Sequence, residues 1–569
     1  MQMNRNSEQH YAQVPHAEIR RARFKRDFSL LTTMNEGDLV PIYVDEVLPA
    51  DTFKIKLNSL IRMSTPLYPV MDNANVDFYF FFVPARLLWN HFENLMGQND
   101  STFWAETTEY TTPQTTAPSG GWNVGTIADY MGIPTGVANL SVNSMPFRAY
   151  AKIWNEWFRD ENLQQPVTQS KDDTTTAGSN AGTKLTDAEA GGQPLKVCKY
   201  KDYFTSCLPS PQKATEPVTL PMAGNAPIRL YDQEAAVTDY ELKYPITGYG
   251  TISDKKQTAK ADGNQLSWSF NNAEGNWLNN TAVLNTAGTS NSKLYYSNSG
   301  HAPSYVAQLG ADLSGVSAAT IEQLRQAIAV QHIFERDSRT GTRYKEILKG
   351  AWGVTSPDAR LDRSEYIGGY RLPININQVI QTSSTDSTSP QGNTAAYSMT
   401  TMSKDMCTYS ATEHGYVIGL AAIRVDHSYQ QGLSRMWTRS TRFSYYDPML
   451  ANLGEQAVLN QEIYAQGTSK DEEVFGYQEA WADYRYRTNM VTSEMRSTYA
   501  QTLDAWHYAD KYTALPTLSS SWIKEGTENI DRTLAVQSSN SHQFICNLYF
   551  DQTWTRPMPI YSIPGINTI

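Results

Sequence analysis

The stretch Val76-Asp77-Phe78-Tyr79-Phe80-Phe81-Phe82-Val83, set between the turn-forming Asp72-Asn73-Ala74-Asn75 and the breaker Pro84, decides how the chain is read. It is far too short to cross a bilayer, which needs about 20 consecutive apolar residues. In a strand, neighbouring side chains point to opposite faces, so this run carries apolar groups on both. Such a strand must be covered twice, by a second layer of its own fold or by another subunit. A water-facing sheet has no such requirement.

Other strands read more simply. Phe53, Ile55 and Leu57 alternate with Thr52, Lys54, Lys56 and Asn58, the period-two pattern of a half-buried strand. Tyr416 to Val425 is strongly apolar throughout. Near the end Phe544, Cys546, Leu548 and Phe550 share one face, with Ile545 and Tyr549 on the other. Helical signals are few. Leu87 to Met96 reads as a short piece ending at Gly97, and Ala149 to Phe158 as a second helix. Thr320 and Gln323 form a capping box for a third, with Ile321, Leu324, Ile328 and His332 on one face and Gly341 to end it. Residues 168–193 and 383–393 are low-complexity polar loops. Asn264 to Ser299, rich in Asn, Gly, Ser and Thr, suits short strands and turns of an exposed excursion. Strands at both ends with few helices between them predict an all-β sandwich with large insertions.

A chain of 569 residues could hold roughly three or four domains, although one large sandwich with insertions reaches the same length. With 47 basic and 58 acidic residues the net charge is −11, a poor balance for coating nucleic acid unaided. Any contact with nucleic acid must therefore be local or shared with a basic partner. The cysteines Cys198, Cys207, Cys407 and Cys546 form no Cys-x-x-Cys pair and lie near no spaced histidines, which argues against zinc and for a reducing compartment. Met1 to Tyr11 lacks the apolar core of a signal peptide. The 34 Tyr, 18 Phe and 13 Trp fit a large core or a set of protein interfaces.

Catalytic chemistry leaves little trace. No phosphate loop, dinucleotide fingerprint, nucleophile elbow or His-Glu-x-x-His is present. Glu413-His414 and Asp426-His427 are neighbours whose side chains would face opposite ways on a strand, so they read as ordinary polar residues at strand ends. Glu156, between Trp154 and Trp157, resembles a sugar-cleaving carboxylate beside aromatic platforms, but such chemistry needs a second carboxylate, and packing is the plainer reading. No catalytic, cofactor or metal residues are assigned.

Two basic groups remain. Arg20, Arg21, Arg23, Lys25 and Arg26 fall within seven positions on a segment, residues 1–27, that reads as a basic arm. Such an arm can neutralise phosphates, strap a neighbouring subunit, or simply lie in solvent. Tyr484-Arg485-Tyr486-Arg487, near Trp481, alternates rings and cations as a single-stranded nucleic-acid site would. An amphipathic strand with tyrosines on one face and arginines on the other is the plainer reading.

Several longer motifs carry a family resemblance. They include Val47-Leu48-Pro49-Ala50-Asp51-Thr52-Phe53, Phe80-Phe81-Phe82-Val83-Pro84-Ala85-Arg86-Leu87-Leu88-Trp89, Arg336-Asp337-Ser338-Arg339-Thr340-Gly341-Thr342-Arg343-Tyr344 and Gly353-Val354-Thr355-Ser356-Pro357-Asp358-Ala359-Arg360-Leu361. Tyr429-Gln430-Gln431-Gly432-Leu433-Ser434-Arg435-Met436-Trp437, Gly454-Glu455-Gln456-Ala457-Val458-Leu459-Asn460 and Arg556-Pro557-Met558-Pro559-Ile560-Tyr561-Ser562-Ile563-Pro564-Gly565 follow in order. Together they resemble the major capsid protein of microviruses of the gokushovirus type, outside the loops near 168–193, 225–314 and 383–405. Ala50 and Ala480 depart from the commoner Gly and Arg without disturbing the likeness.

The resemblance implies an eight-stranded antiparallel jelly roll with long loop insertions and a few short helices, spanning 28–224 and 315–569. It implies self-assembly into a T=1 shell of sixty copies around circular single-stranded DNA, made in bacterial cytoplasm. The segment 225–314 is then a variable insertion protruding at the threefold axes. Its Asn271, Asn272, Trp277, Asn279, Asn280, Tyr295 and Tyr296 are candidates for contact with a host-surface receptor. A small basic DNA-binding protein and a pilot or minor protein are the implied companions. Arg20 to Arg26, with Arg485 and Arg487, are the residues expected to touch DNA or that basic companion.

Overall fold

The computed structural model describes residues 20–98, 108–213, 362–380 and 394–561, positions 382, 385 and 391, and the helix and strands named below between 228 and 340. The chain divides into two compact units, 1–213 with 335–569, and 214–334.

The first unit is built on one curled antiparallel sheet. Its strands are β1 (Ala22–Lys25), β2 (Phe28–Met34), β3 (Val40–Val47), β4 (Thr52–Met63), β5 (Ala74–Pro84), β6 (Glu365–Pro373), β7 (Thr400–Ser410), β8 (Gly415–Val425) and β9 (Phe544–Arg556). They run in the order β1-β9-β4-β7-β6-β5-β8-β3, and β2 pairs with β9 beside β1. The expected mainly β architecture forms and is consistent with a jelly roll, but this sheet carries nine strands where the resemblance implies eight. At the β6–β7 step the ladder narrows to the single register pair Gly368 and Cys407. A Cβ on Gly368 would stand 2.2 Å from the carbonyl oxygen of Met406, so only glycine lets the two strands meet at this corner.

Alternation places the inner core. Phe53, Ile55, Leu57 and Ile61 of β4, and Phe544, Cys546, Leu548, Phe550 and Trp554 of β9, point into the curl and are buried. Trp554 stacks on Phe53 with ring centroids 4.5 Å apart. The β9 residues Ile545 and Tyr549 face outward and stay exposed, as the period-two pattern requires.

β5 behaves as its sequence demands. Phe78, Phe80 and Phe82 enter the inner core, while Phe81 and Val83 enter a second core on the opposite face. That second layer belongs to the chain itself. Helix α1 (Met145–Ile153) supplies much of it, with Phe147, Ala149, Tyr150, Ala151 and Ile153 buried beside Ile418, Leu420 and Ala422 of β8. Asn143 accepts the Met145 N–H at 2.9 Å, and Pro146 occupies the first turn, where a missing N–H costs nothing. The helix starts four residues before the expected Ala149 and passes into one wider turn, Trp154–Phe158. Arg148 is wholly buried because the carbonyls of Leu88, Asp172 and Thr174 accept from its guanidinium. The Leu87–Met96 segment yields short helical turns at Ala85–Leu87 and Phe92–Leu95, closed by Gly97 at φ +102°.

In the second unit the strands Lys260–Asp262, Gln265–Asn271, Trp277–Asn285, Lys293–Ser297, Val306–Ala311 and Ile228–Asp232 form an antiparallel sheet in that order. Helix α2 (Ile321–Thr340) begins in this unit and ends in the first, and its Leu324 and Ile328 are exposed rather than covered. The capping residue Thr320 and the terminator Gly341 lie outside the described residues.

Candidate functional site

Arg20 to Arg26 lead into and form the edge of the main sheet. β1 pairs with β9 from Ala22 opposite Arg556 to Lys25 opposite Thr553. Phe24 packs on the inner core, so alternation turns Arg23 and Lys25 outward. Lys25 pairs with Asp27 at 2.9 Å and Arg26 with Asp45 at 2.6 Å. Arg21 donates to the Thr52 hydroxyl at 2.6 Å. Arg20 and Arg23 have no carboxylate partner among the described residues. Register continues the outward row through Thr553 to Lys54, which pairs with Asp405 at 2.8 Å. The result is an exposed edge with two cations left over, able to meet phosphates.

Arg485 and Arg487 lie elsewhere, in the loops after the strand Val474–Glu479. The expected amphipathic strand does not form there. Trp481 takes a left-handed conformation, φ +65°, and the chain folds into the turn Ala482–Tyr484. Tyr484, Arg485, Tyr486 and Arg487 are consequently all exposed. Arg485 is paired with Glu479, and Arg487 has no ion pair among the described residues.

Of the residues considered for host contact, Asn271 ends one strand opposite Trp277, the first residue of the next. Asn279 and Asn280 lie on that second strand. Tyr295 and Tyr296 stand opposite Val283 and Ala282. Asn272 lies outside the described residues.

The acid–histidine pairs separate. Glu413 binds Arg86 at 2.7 Å. His427 is buried between Asp510, 3.0 Å from Nδ1, and Glu525, 3.2 Å from Nε2. Burial alone would lower the imidazole pKa, but the two carboxylates override it and push it up to about 10. The charges of His427 and Lys199 likewise hold the buried Asp510 below the usual carboxylate range. Glu36 is pushed well up by burial and by the charge of Glu525. A protonated histidine sealed between two acids links distant segments and has no room for a substrate. Glu156 is also structural, accepting from the N–H and hydroxyl of Ser364 at 2.8 and 2.6 Å and pairing with Lys152 at 2.7 Å.

A second network joins the strands. Asp77 of β5 accepts from Tyr200 at 2.8 Å, Arg371 at 2.7 Å and Arg424. Burial would raise its carboxyl; the Arg424 charge and these hydrogen bonds hold it below its ordinary value. All four cysteines are free and buried, and burial pushes Cys198 up to about 11 and Cys546 up to about 12. Among the described residues no helix is long and apolar enough to cross a membrane, and no group of three or more His, Cys, Asp or Glu is placed to hold a metal ion.

Sequence reasoning gave no location for a large exposed surface of rings and methionines between Leu433 and Leu503. Aromatic composition signalled an interface but could not separate these side chains from core.

Residues 12–566 match the family model described as capsid protein (F protein). The chain is 41% identical to capsid protein VP1 of Spiroplasma virus 4, over 97% of this chain and 96% of that protein. It is 40% identical to capsid protein VP1 of Bdellovibrio phage phiMH2K, over 99% and 98%. Against capsid protein VP1 of Chlamydia phage 1 the identity is 39%, over 98% of each. Matched end to end with these relatives and built on the curled β sheet described above, the chain belongs to the capsid protein (F protein) family of the microviruses.

Proposed function

We propose that this protein is the major coat protein of a small tailless phage, assembling with copies of itself into a T=1 icosahedral shell around circular single-stranded DNA. Members of the family are structural capsid proteins, not enzymes. The match over nearly the whole chain to three proteins named as capsid proteins carries the reading. The net charge of −11 supports a basic companion that shares the neutralisation of the genome, with a pilot or minor protein beside it. Among the described residues, Arg20 and Arg23 at the exposed sheet edge are proposed to meet DNA or that companion, and Arg487 follows. The segment 225–314 is proposed as the protrusion that meets a receptor on the bacterial host, with assembly in the host cytoplasm.

Electron microscopy of particles purified from cells expressing the chain with its companions tests the shell. Closed icosahedral particles of sixty subunits protecting single-stranded DNA from nuclease are expected. A chain that stays monomeric under those conditions overturns the reading. Deleting 225–314 is expected to spare particle formation and abolish host attachment; loss of particles instead would make that segment structural.

A further inference from the structure

The loops between Leu433 and Tyr486 leave at least six large side chains uncovered. Met449 is 90% exposed, Phe443 76% and Trp437 69%, with Tyr445, Tyr446 and Tyr484 each about half exposed. A fully buried ring contributes about 150–250 Å², so these six offer roughly 800 Å², the share one partner contributes to a standard stable interface. Isolated monomers rarely expose contiguous apolar patches of more than a few hundred Å², and here Tyr446, Trp481 and Tyr484 form one ring cluster.

The surface is held in place before anything covers it. The Trp481 indole donates to the Leu450 carbonyl at 2.9 Å, tying one loop to the other. Tyr446 packs edge-on against Trp481 with centroids 5.6 Å apart, and lies 6.2 Å from Tyr484. The Arg439 guanidinium covers the Tyr484 ring at 4.4 Å. Rings fixed this way lose little freedom on binding, which is how the few residues that dominate an interface act.

Rings with arginines could also serve single-stranded DNA. Here three of the five arginines are already matched within the chain, Arg439 by Asp483, Arg485 by Glu479 and Arg435 by Glu462, while Arg442 and Arg487 have no ion pair among the described residues. A surface meant for phosphates would leave most of its cations unpaired, and here most are engaged.

We infer that this platform, centred on Phe443, Met449 and the Tyr446–Tyr484 pair, is a contact surface for a second copy of the same chain. The inference rests on the self-assembly reading above. Because the four native cysteines are all buried, Phe443→Cys would supply the accessible thiol among the described residues. Maleimide labelling of this variant is expected to be complete in dissociated subunits and blocked at least tenfold in particles assembled from the chain alone. Equal labelling in both overturns the inference. Blocking confined to DNA-filled particles assigns the surface to nucleic acid, and blocking that needs an added companion protein assigns it to that companion; either outcome overturns it too. A Met449→Asp variant that folds normally is expected to halt assembly at free subunits or small oligomers. Wild-type chain that never assembles would sink the self-assembly reading itself, whereas assembly by both wild type and Met449→Asp would sink only this one.

Discussion

His427 and Asp510 are 83 residues apart in the chain and 3.0 Å apart in the interior, where Glu525 closes on the other ring nitrogen at 3.2 Å. Three loop segments that share no strand are thereby fixed to one another. A buried pair of this kind is costly to break from one side, because the partner's charge stays behind.

The pH dependence follows from the directions of the shifts. His427, raised to about 10, contributes stability that is whole below the ordinary histidine value of about 6.5 and fades as pH climbs through 10. Asp510, held low, contributes stability that is whole above the ordinary carboxylate value and is lost in acid. Thermal melting of dissociated subunits is therefore expected to be flattest between about pH 4 and 6.5, to fall in acid, and to decline from neutrality up to about pH 10. His427→Gln is expected to cost about 3–5 kcal/mol at neutral pH and to flatten the alkaline limb. An unchanged alkaline limb in that variant would assign the loss elsewhere.

The two faces of β5 give a second measurement. Phe80→Ala and Phe81→Ala point into different cores, and each is expected to cost about 3–5 kcal/mol in denaturant unfolding of subunits. Ile545→Ser, on the outward face of β9, is expected to stay within about 0.5 kcal/mol. A near-neutral Phe81→Ala would mean that α1 is not the cover described.

Gly368→Ala tests the corner of the sheet. The added methyl would collide with the Met406 carbonyl, and overpacking of this sort costs about 1–3 kcal/mol. The expected outcome is a lower melting temperature with the rest of the fold intact, read by circular dichroism.

For nucleic acid, Arg23→Ala is expected to weaken binding of a single-stranded oligonucleotide and to reduce the salt slope by roughly 0.7, the value for one lost phosphate contact. Arg485→Ala, whose guanidinium is already engaged by Glu479, is expected to change it less. The reverse ranking would move the DNA contact from the sheet edge to the loops.

The sequence made the strands legible because alternation and apolar runs are local signals. β4, β5, β8 and β9 all stand where their patterns put them. For β5 the residues demanded cover on both faces without saying whose; the answer depended on α1, some 60 positions away. His427 read as an ordinary strand-end residue because its partners lie 83 and 98 residues off, and no spacing rule reaches that far. Tyr484 to Arg487 carried a strand-like alternation, yet the left-handed Trp481 diverted the chain into a turn. Phe443 and Met449 look like core residues in a list, and only the fold leaves them outside.

Among the described strands β9 is the last to leave the ribosome, and it sits between β4 on one side and β1 and β2 on the other. The sheet therefore cannot seal while the chain is still being made, since its earliest strands wait for its final ones. A product cut short before Phe544 would keep β4 as a bare edge over an open core, a form prone to clumping. The two ends of the sheet are thus joined only by chains that include β9.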